Sequence, residues 1–234
     1  MRKMTPAKLL AIYIGLYALL FILQYVMVRL LGMPTETVGE VLRINSISNL
    51  IFYGGGVILL ISMFYVYWKE QIKAFFANLR QHIGIIVAGF GVMLFVSSLA
   101  GIILTLLGVT DTSENQEILN VFVTDGELFD QIAFLLFAVI GAPIVEEVVF
   151  RKGIFDFLKR FNIHPALMII ASALIFGYIH VLGDDIAQIV TYAFLGGVLG
   201  SVYYFAKENV LPSIIIHMVF NGMVAVSMFQ IAFS

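Results

Sequence analysis

Residues 131–151, QIAFLLFAVIGAPIVEEVVFR, decide how the chain is read. An apolar run close to the roughly 20 residues that cross a bilayer closes on two adjacent acids, Glu146 and Glu147, and then on Arg151. A charged side chain at bilayer depth costs at least about 2.5 to 3.5 kcal/mol on insertion scales, so charges placed there need a reason. The remainder of the chain confirms that lipid is the solvent. Of 234 residues, 61% are hydrophobic and 12% charged, and the mean hydropathy is +1.02, whereas soluble domains carry about 25% charged residues.

Working outward from 131–151, further apolar windows fall at about 9–28, 49–68, 83–109, 165–181, 186–205 and 210–233. The expected fold is therefore all-α, a polytopic transmembrane helical bundle of about seven spans with the lipid bilayer as its surroundings. It reads as one membrane domain with two parts: N-terminal helices over 1–130, whose first three spans are nearly free of internal polar groups, and a core over 131–234 whose four spans hold all the polar clusters. The first span follows Arg2, Lys3 and Lys8, but it is too long for a signal peptide and lacks a small-residue cleavage site, so an uncleaved anchor is expected. Gly196, Gly197, Gly200 and Ser201 in the sixth span read as a surface for close helix packing.

Basic residues set the expected orientation. With a cytoplasmic N-terminus, Arg2, Lys3, Lys8, Lys69, Lys73, Arg80, Arg151, Lys152, Lys159, Arg160 and Lys207 fall inside and only Arg29 and Arg43 outside. The stretch 110–131 carries Asp111, Glu114, Glu117, Asp125, Glu127 and Asp130 with no Lys or Arg, which suits an external loop, and the C-terminus then ends outside. Tyr65, Tyr67 and Trp68 read as an aromatic belt at the inner interface, followed over 69–82 by either a short basic surface helix or an ordinary loop. The expected location is a cell membrane, crossed many times, of the bacterial inner-membrane type. No cysteine is present, which excludes disulfides, thiolate catalysis and Cys-ligated zinc. No nucleic-acid partner is expected.

Two more polar pairs interrupt the later spans: Phe176 with His180, and His217 with Asn221. In each pair, as in Glu147 and Arg151, the members stand four apart and share a helix face. Glu146 is rotated about 100° from Glu147, so Arg151 can hold one carboxylate while the other points elsewhere. If the fourth helix continues to Lys159 and Arg160, Glu146 lies roughly 20 Å from the inner surface, His180 roughly 22 Å, and His217 and Asn221 roughly 15 and 21 Å. All would then lie at one level. Singly, each motif has an ordinary explanation: a solvated helix end, a packing histidine, a chance pair. His82 and His164, at span ends, keep that ordinary reading. Jointly the buried groups call for chemistry.

A carboxylate and an imidazole can take a proton from water, and a second imidazole with an amide can hold the oxyanion formed when that water attacks a carbonyl. That describes peptide-bond hydrolysis. A Glu/His/His zinc site has acceptable ligands too, although Arg151 opposes a divalent cation beside the carboxylates. No serine lies at an evident position beside the histidines, which disfavours an acyl-enzyme.

The run from Ala142 through Glu146, Glu147 and Arg151 resembles the EExxxR motif of the CAAX protease and bacteriocin-processing (Abi) family of intramembrane endopeptidases. Phe176 to His180 is similar to its FxxxH motif and His217 to Asn221 to its HxxxN motif, in order, over roughly 130–225. The resemblance implies that Glu146 and His180 activate water, that Glu147 and Arg151 support the glutamate, and that His217 and Asn221 form the oxyanion hole, with Phe176 as a pocket wall. It implies a metal-independent endopeptidase without cofactor, acting on a peptide or a membrane-protein tail. The alternative is a non-catalytic bacteriocin-immunity or regulatory protein that uses the same pocket for binding. A transporter is less favoured, since paired broken helices in two related halves are not seen.

Overall fold

The computed structural model describes residues 4–109, 113–181 and 186–234, and among these it is helical with no strand. Arg2, Lys3, Thr110 and Asp111, which entered the orientation argument, lie outside the described residues. Six helices are long and apolar enough to cross a membrane: α1 (Pro6–Leu30), α2 (Val38–Met63), α4 (Leu79–Leu106), α6 (Leu128–Lys159), α8 (Ile186–Phe205) and α9 (Val210–Ala232). Between them lie α3 (Tyr65–Ala77), α5 (Glu114–Thr124) and α7 (Pro165–His180). The fifth expected span is α7, an apolar helix of only 16 residues.

Local chemistry explains where helices start. Thr5 caps α1, with Pro6 at the first helical position, where its missing N–H costs nothing. Thr37 and Glu40 form a reciprocal capping box at the start of α2, and such a box satisfies two otherwise orphaned N–H groups. The second span therefore begins at Val38, well before the apolar window that hydropathy places at 49–68. It ends at Met63, where Phe64 leaves helical geometry. The long fourth helix that the depth argument needed is continuous from Leu128 to Lys159.

The second helix makes a buried polar contact. Asp130 is fully buried, accepting from Arg43 Nε at 3.0 Å and Ser46 Oγ at 2.8 Å, while Arg43 Nη2 reaches Glu127 at 2.7 Å. This pin joins α2 to the start of α6. The second helix thus carries polar groups, Arg43 and Ser46, that lie before the apolar window at 49–68 and so outside the expected span, because hydropathy averaging hides polar residues placed ahead of such a window. At the other end, Asn209 Nδ2 donates to Gln71 O at 2.8 Å, Gln71 Oε1 accepts from Val210 N at 2.9 Å, and Lys159 pairs with Glu208. Of the expected belt, Tyr65 is exposed but Trp68 turns inward and donates to Leu60 O at 3.2 Å. His82 is likewise buried, stacked on Phe75 and bonded to its carbonyl.

Helices α7 and α8 approach closely where small residues meet. A Cβ on Gly196 would stand 3.1 Å from the Phe176 ring and 3.2 Å from Ala173 Cα. The expected close packing of the sixth span is present, and it fixes the position of Phe176. Within the acidic stretch, α5 buries Phe122 and Val123 against Phe134, Phe137, Ala225 and Met228. It therefore packs on the ends of α6 and α9.

Candidate active site

The four expected site residues converge. His180 Nε2 stands 3.8 Å from Glu146 Oε2, and His217 Nε2 stands 4.0 Å from the same oxygen. All three line a cavity of about 250 Å³, together with Asn221, Tyr53 and Phe137. The residues Asn115, Gln116, Ile118 and Leu119 of α5 border it, so the cavity reaches from the histidines to α5. Among the described residues, no group of three His, Cys, Asp or Glu side chains is arranged to hold a metal ion.

Each histidine is held through Nδ1. In His180 that atom lies 2.8 Å from Phe176 O. A carbonyl only accepts, so Nδ1 carries the hydrogen and Nε2 presents its lone pair toward Glu146. In His217, Nδ1 lies 3.1 Å from Glu147 Oε1. Glu147 also accepts from Arg151 Nε at 2.9 Å and Nη2 at 3.3 Å, and Arg151 Nη1 donates to Ser172 Oγ at 2.7 Å. Ser172 in turn donates to Phe150 O at 2.9 Å. Glu147, Arg151 and Ser172 are all 0% exposed. The support that Glu147 and Arg151 were expected to give Glu146 is therefore directed at His217 instead, because the 100° rotation between the two acids sets Glu147 on the Nδ1 side of that ring and Glu146 on its Nε2 side.

Phe176 is not a pocket wall. It is buried beside the Arg151 guanidinium, 5.0 Å from its ring centroid, and packs on the rings of His180 at 4.2 Å and His217 at 5.9 Å. It spaces the two imidazoles from behind.

Asn221 is anchored by a feature of α6. Leu135–Gly141 is a wide turn with i→i+5 bonding, a geometry that recurs at functional sites. Pro143 follows and has no N–H, so in that register the carbonyl left without a helical partner belongs to Ala138. Asn221 Nδ2 donates to that carbonyl at 2.9 Å. One amide hydrogen is thus committed, and the other remains for the cavity. A second wide turn, Val148–Gly153, follows the two acids and carries Arg151.

Three neighbours carried no motif signal. Tyr53 of α2 donates to Glu146 Oε1 at 3.3 Å, and Tyr192 of α8 stacks on His180 at 4.9 Å. Ser172 was the one within reach of sequence reasoning, since extending the Phe176–His180 face back by four residues arrives at it.

Residues 128–223 match the family described as Type II CAAX prenyl endopeptidase Rce1-like. That stretch contains all three motifs, and the resemblance drawn from them is borne out. The chain is 32% identical over 146 residues to the membrane-embedded CAAX protease MroQ of Staphylococcus aureus, covering 59% of this chain and 55% of that one. It is 31% identical over 139 residues to the UPF0177 protein YvdC of Lactococcus lactis, covering 58% and 49%. The chain thus spans about half the length of the curated relatives it matches. No solved structure matches it.

Proposed function

We propose that the chain is a metal-independent intramembrane endopeptidase that hydrolyses a bond in a peptide or membrane-protein tail. The observation that carries this reading is the shared target of two imidazoles: both Nε2 atoms face Glu146 Oε2 at 3.8 and 4.0 Å at the wall of a cavity. Those separations are too long for direct hydrogen bonds and leave room for a water oxygen between the groups. Glu146, with His180 Nε2 as the second acceptor, takes the water proton as its oxygen attacks the scissile carbonyl. His217, held through Nδ1 by Glu147, and the second hydrogen of Asn221 Nδ2 stabilise the developing oxyanion. The proton held by Glu146 then passes to the leaving amine. The MroQ relative, named as a protease, supports this reading.

The orientation proposed is a cytoplasmic N-terminus and external C-terminus, which places the α5 end of the cavity toward the external face. Reporter fusions after Thr124 and at Ser234 should both read external. For the chemistry, the full chain in detergent is incubated with quenched-fluorescent peptides copied from single-span membrane proteins, with and without chelator. Cleavage that persists in chelator and vanishes in Glu146→Gln is expected. Loss in chelator that only zinc restores would reassign the mechanism to a metal, and cleavage retained by Glu146→Gln would remove this site from the reaction.

A further inference from the structure

Glu146 has two carboxylate oxygens, and only Oε2 faces the histidines. Its other oxygen, Oε1, accepts from the hydroxyl of Tyr53, which comes from α2, outside the matched region 128–223. The Tyr53 ring is held on both sides. Phe137 stacks on it at 6.1 Å with an 8° interplanar angle, and Phe52 meets it edge-on at 4.6 Å. Phe52 leans on Tyr17 at 4.9 Å, whose hydroxyl accepts from Tyr13 at 3.4 Å. Gly141 admits the residue, since a Cβ there would stand 2.7 Å from Tyr53 Cβ. A ring so confined has one place for its hydroxyl, and that place is beside Glu146.

We propose that Tyr53 is a positioning residue of the active site, holding Glu146 Oε1 so that Oε2 stays turned to His180 and His217. The inference rests on Glu146 being the base. The titratable groups around that carboxylate are Tyr53 from α2, Tyr13 and Tyr17 from α1 within electrostatic reach, His180 from α7 and His217 from α9, with Glu147 and Arg151 on its own helix turned to the far side of His217, and among these Tyr53 holds Oε1 by a hydrogen bond. The early helices thereby contribute to the site, and residues 128–223 do not complete it alone.

The test compares Tyr53→Phe with Tyr17→Phe, which deletes from the same aromatic stack a hydroxyl that is bonded to Tyr13 and makes no hydrogen bond to Glu146. With the same quenched peptides, Tyr53→Phe should lower kcat about tenfold or more at nearly constant KM, as expected for a lost hydrogen bond to a charged group. Tyr17→Phe should leave kcat unchanged. A second measurement needs no turnover: labelling of Glu146 by dicyclohexylcarbodiimide, followed by mass spectrometry, should run severalfold faster in Tyr53→Phe than in Tyr17→Phe, because the hydroxyl no longer occupies one oxygen. Equal kcat in both variants, a change confined to KM, or equal labelling rates would each overturn the role of Tyr53. If the wild type cleaves nothing, the labelling comparison still decides the positioning contact, and only the protease reading falls.

Discussion

The two faces of His217 are built on opposite rules. On the Nδ1 side lie Glu147, Arg151 and Ser172, fully buried and closely bonded to one another. On the Nε2 side lie Glu146, His180 and Asn221, spaced around a cavity with gaps of 3.8 to 4.0 Å between the ionisable groups. A buried charge is tolerated only when paired and hydrogen-bonded, and the rear cluster meets that condition completely. The front leaves room for a reactant. One ring thus separates a tightly bonded cluster from the cavity-lining groups to which the proposed reaction is assigned, and substitutions on the two sides should fail in different ways.

The largest effect should come from the front. Glu146→Gln keeps the shape and removes the base, so turnover should fall by about 10²- to 10⁴-fold, while thermal unfolding in detergent stays close to wild type. His180→Ala should behave alike. A front variant that lost its fold instead would break the division. Next is the rear: Arg151→Met leaves Glu147 buried without its cation, and should destabilise the protein by about 3 to 5 kcal/mol. Its signature is a lower unfolding temperature and a smaller monodisperse fraction on size-exclusion chromatography, ahead of any loss of activity per folded molecule. Asn221→Ala should cost about 10²- to 10³-fold in turnover, with substrate affinity little changed. The smallest effect sharpens the account of how Asn221 is held. Pro143→Ala supplies an N–H that competes for Ala138 O, and one such hydrogen bond is worth roughly 0.5 to 1.5 kcal/mol, or about two- to tenfold in turnover. In an Asn221→Ala background the same substitution should have no effect, and an additive loss would show that the proline acts elsewhere.

The front of the site was far more legible in the sequence than the rear. Glu146, His180, His217 and Asn221 could be placed at one level because helical rise is fixed and each lies a countable distance from a charged helix end. Helical rise gives depth but not direction around the helix. Spacing therefore pairs Glu147 and Arg151 correctly, yet sends their support to Glu146 rather than His217. Phe176 was misplaced for the same reason, since its inward packing depends on the close approach allowed by Gly196. Tyr53 was invisible because it is brought to Glu146 by a contact between α2 and α6 across 93 positions of chain. The start of α2 was missed because a capping box and a buried Arg43–Asp130 pair, not hydropathy, set it.

The 16 residues of α7 end at His180 itself. At 1.5 Å per residue the helix is about 24 Å long, short of the roughly 30 Å of hydrocarbon around it. Lipid meeting a short span thins or dimples toward it at modest cost per ångström. The hydrolysis proposed for this site consumes a molecule that a membrane excludes, and the histidine facing Glu146 stands at one end of this short helix. On that proposal, the length of one helix bears on how far the aqueous phase must reach to supply the reaction.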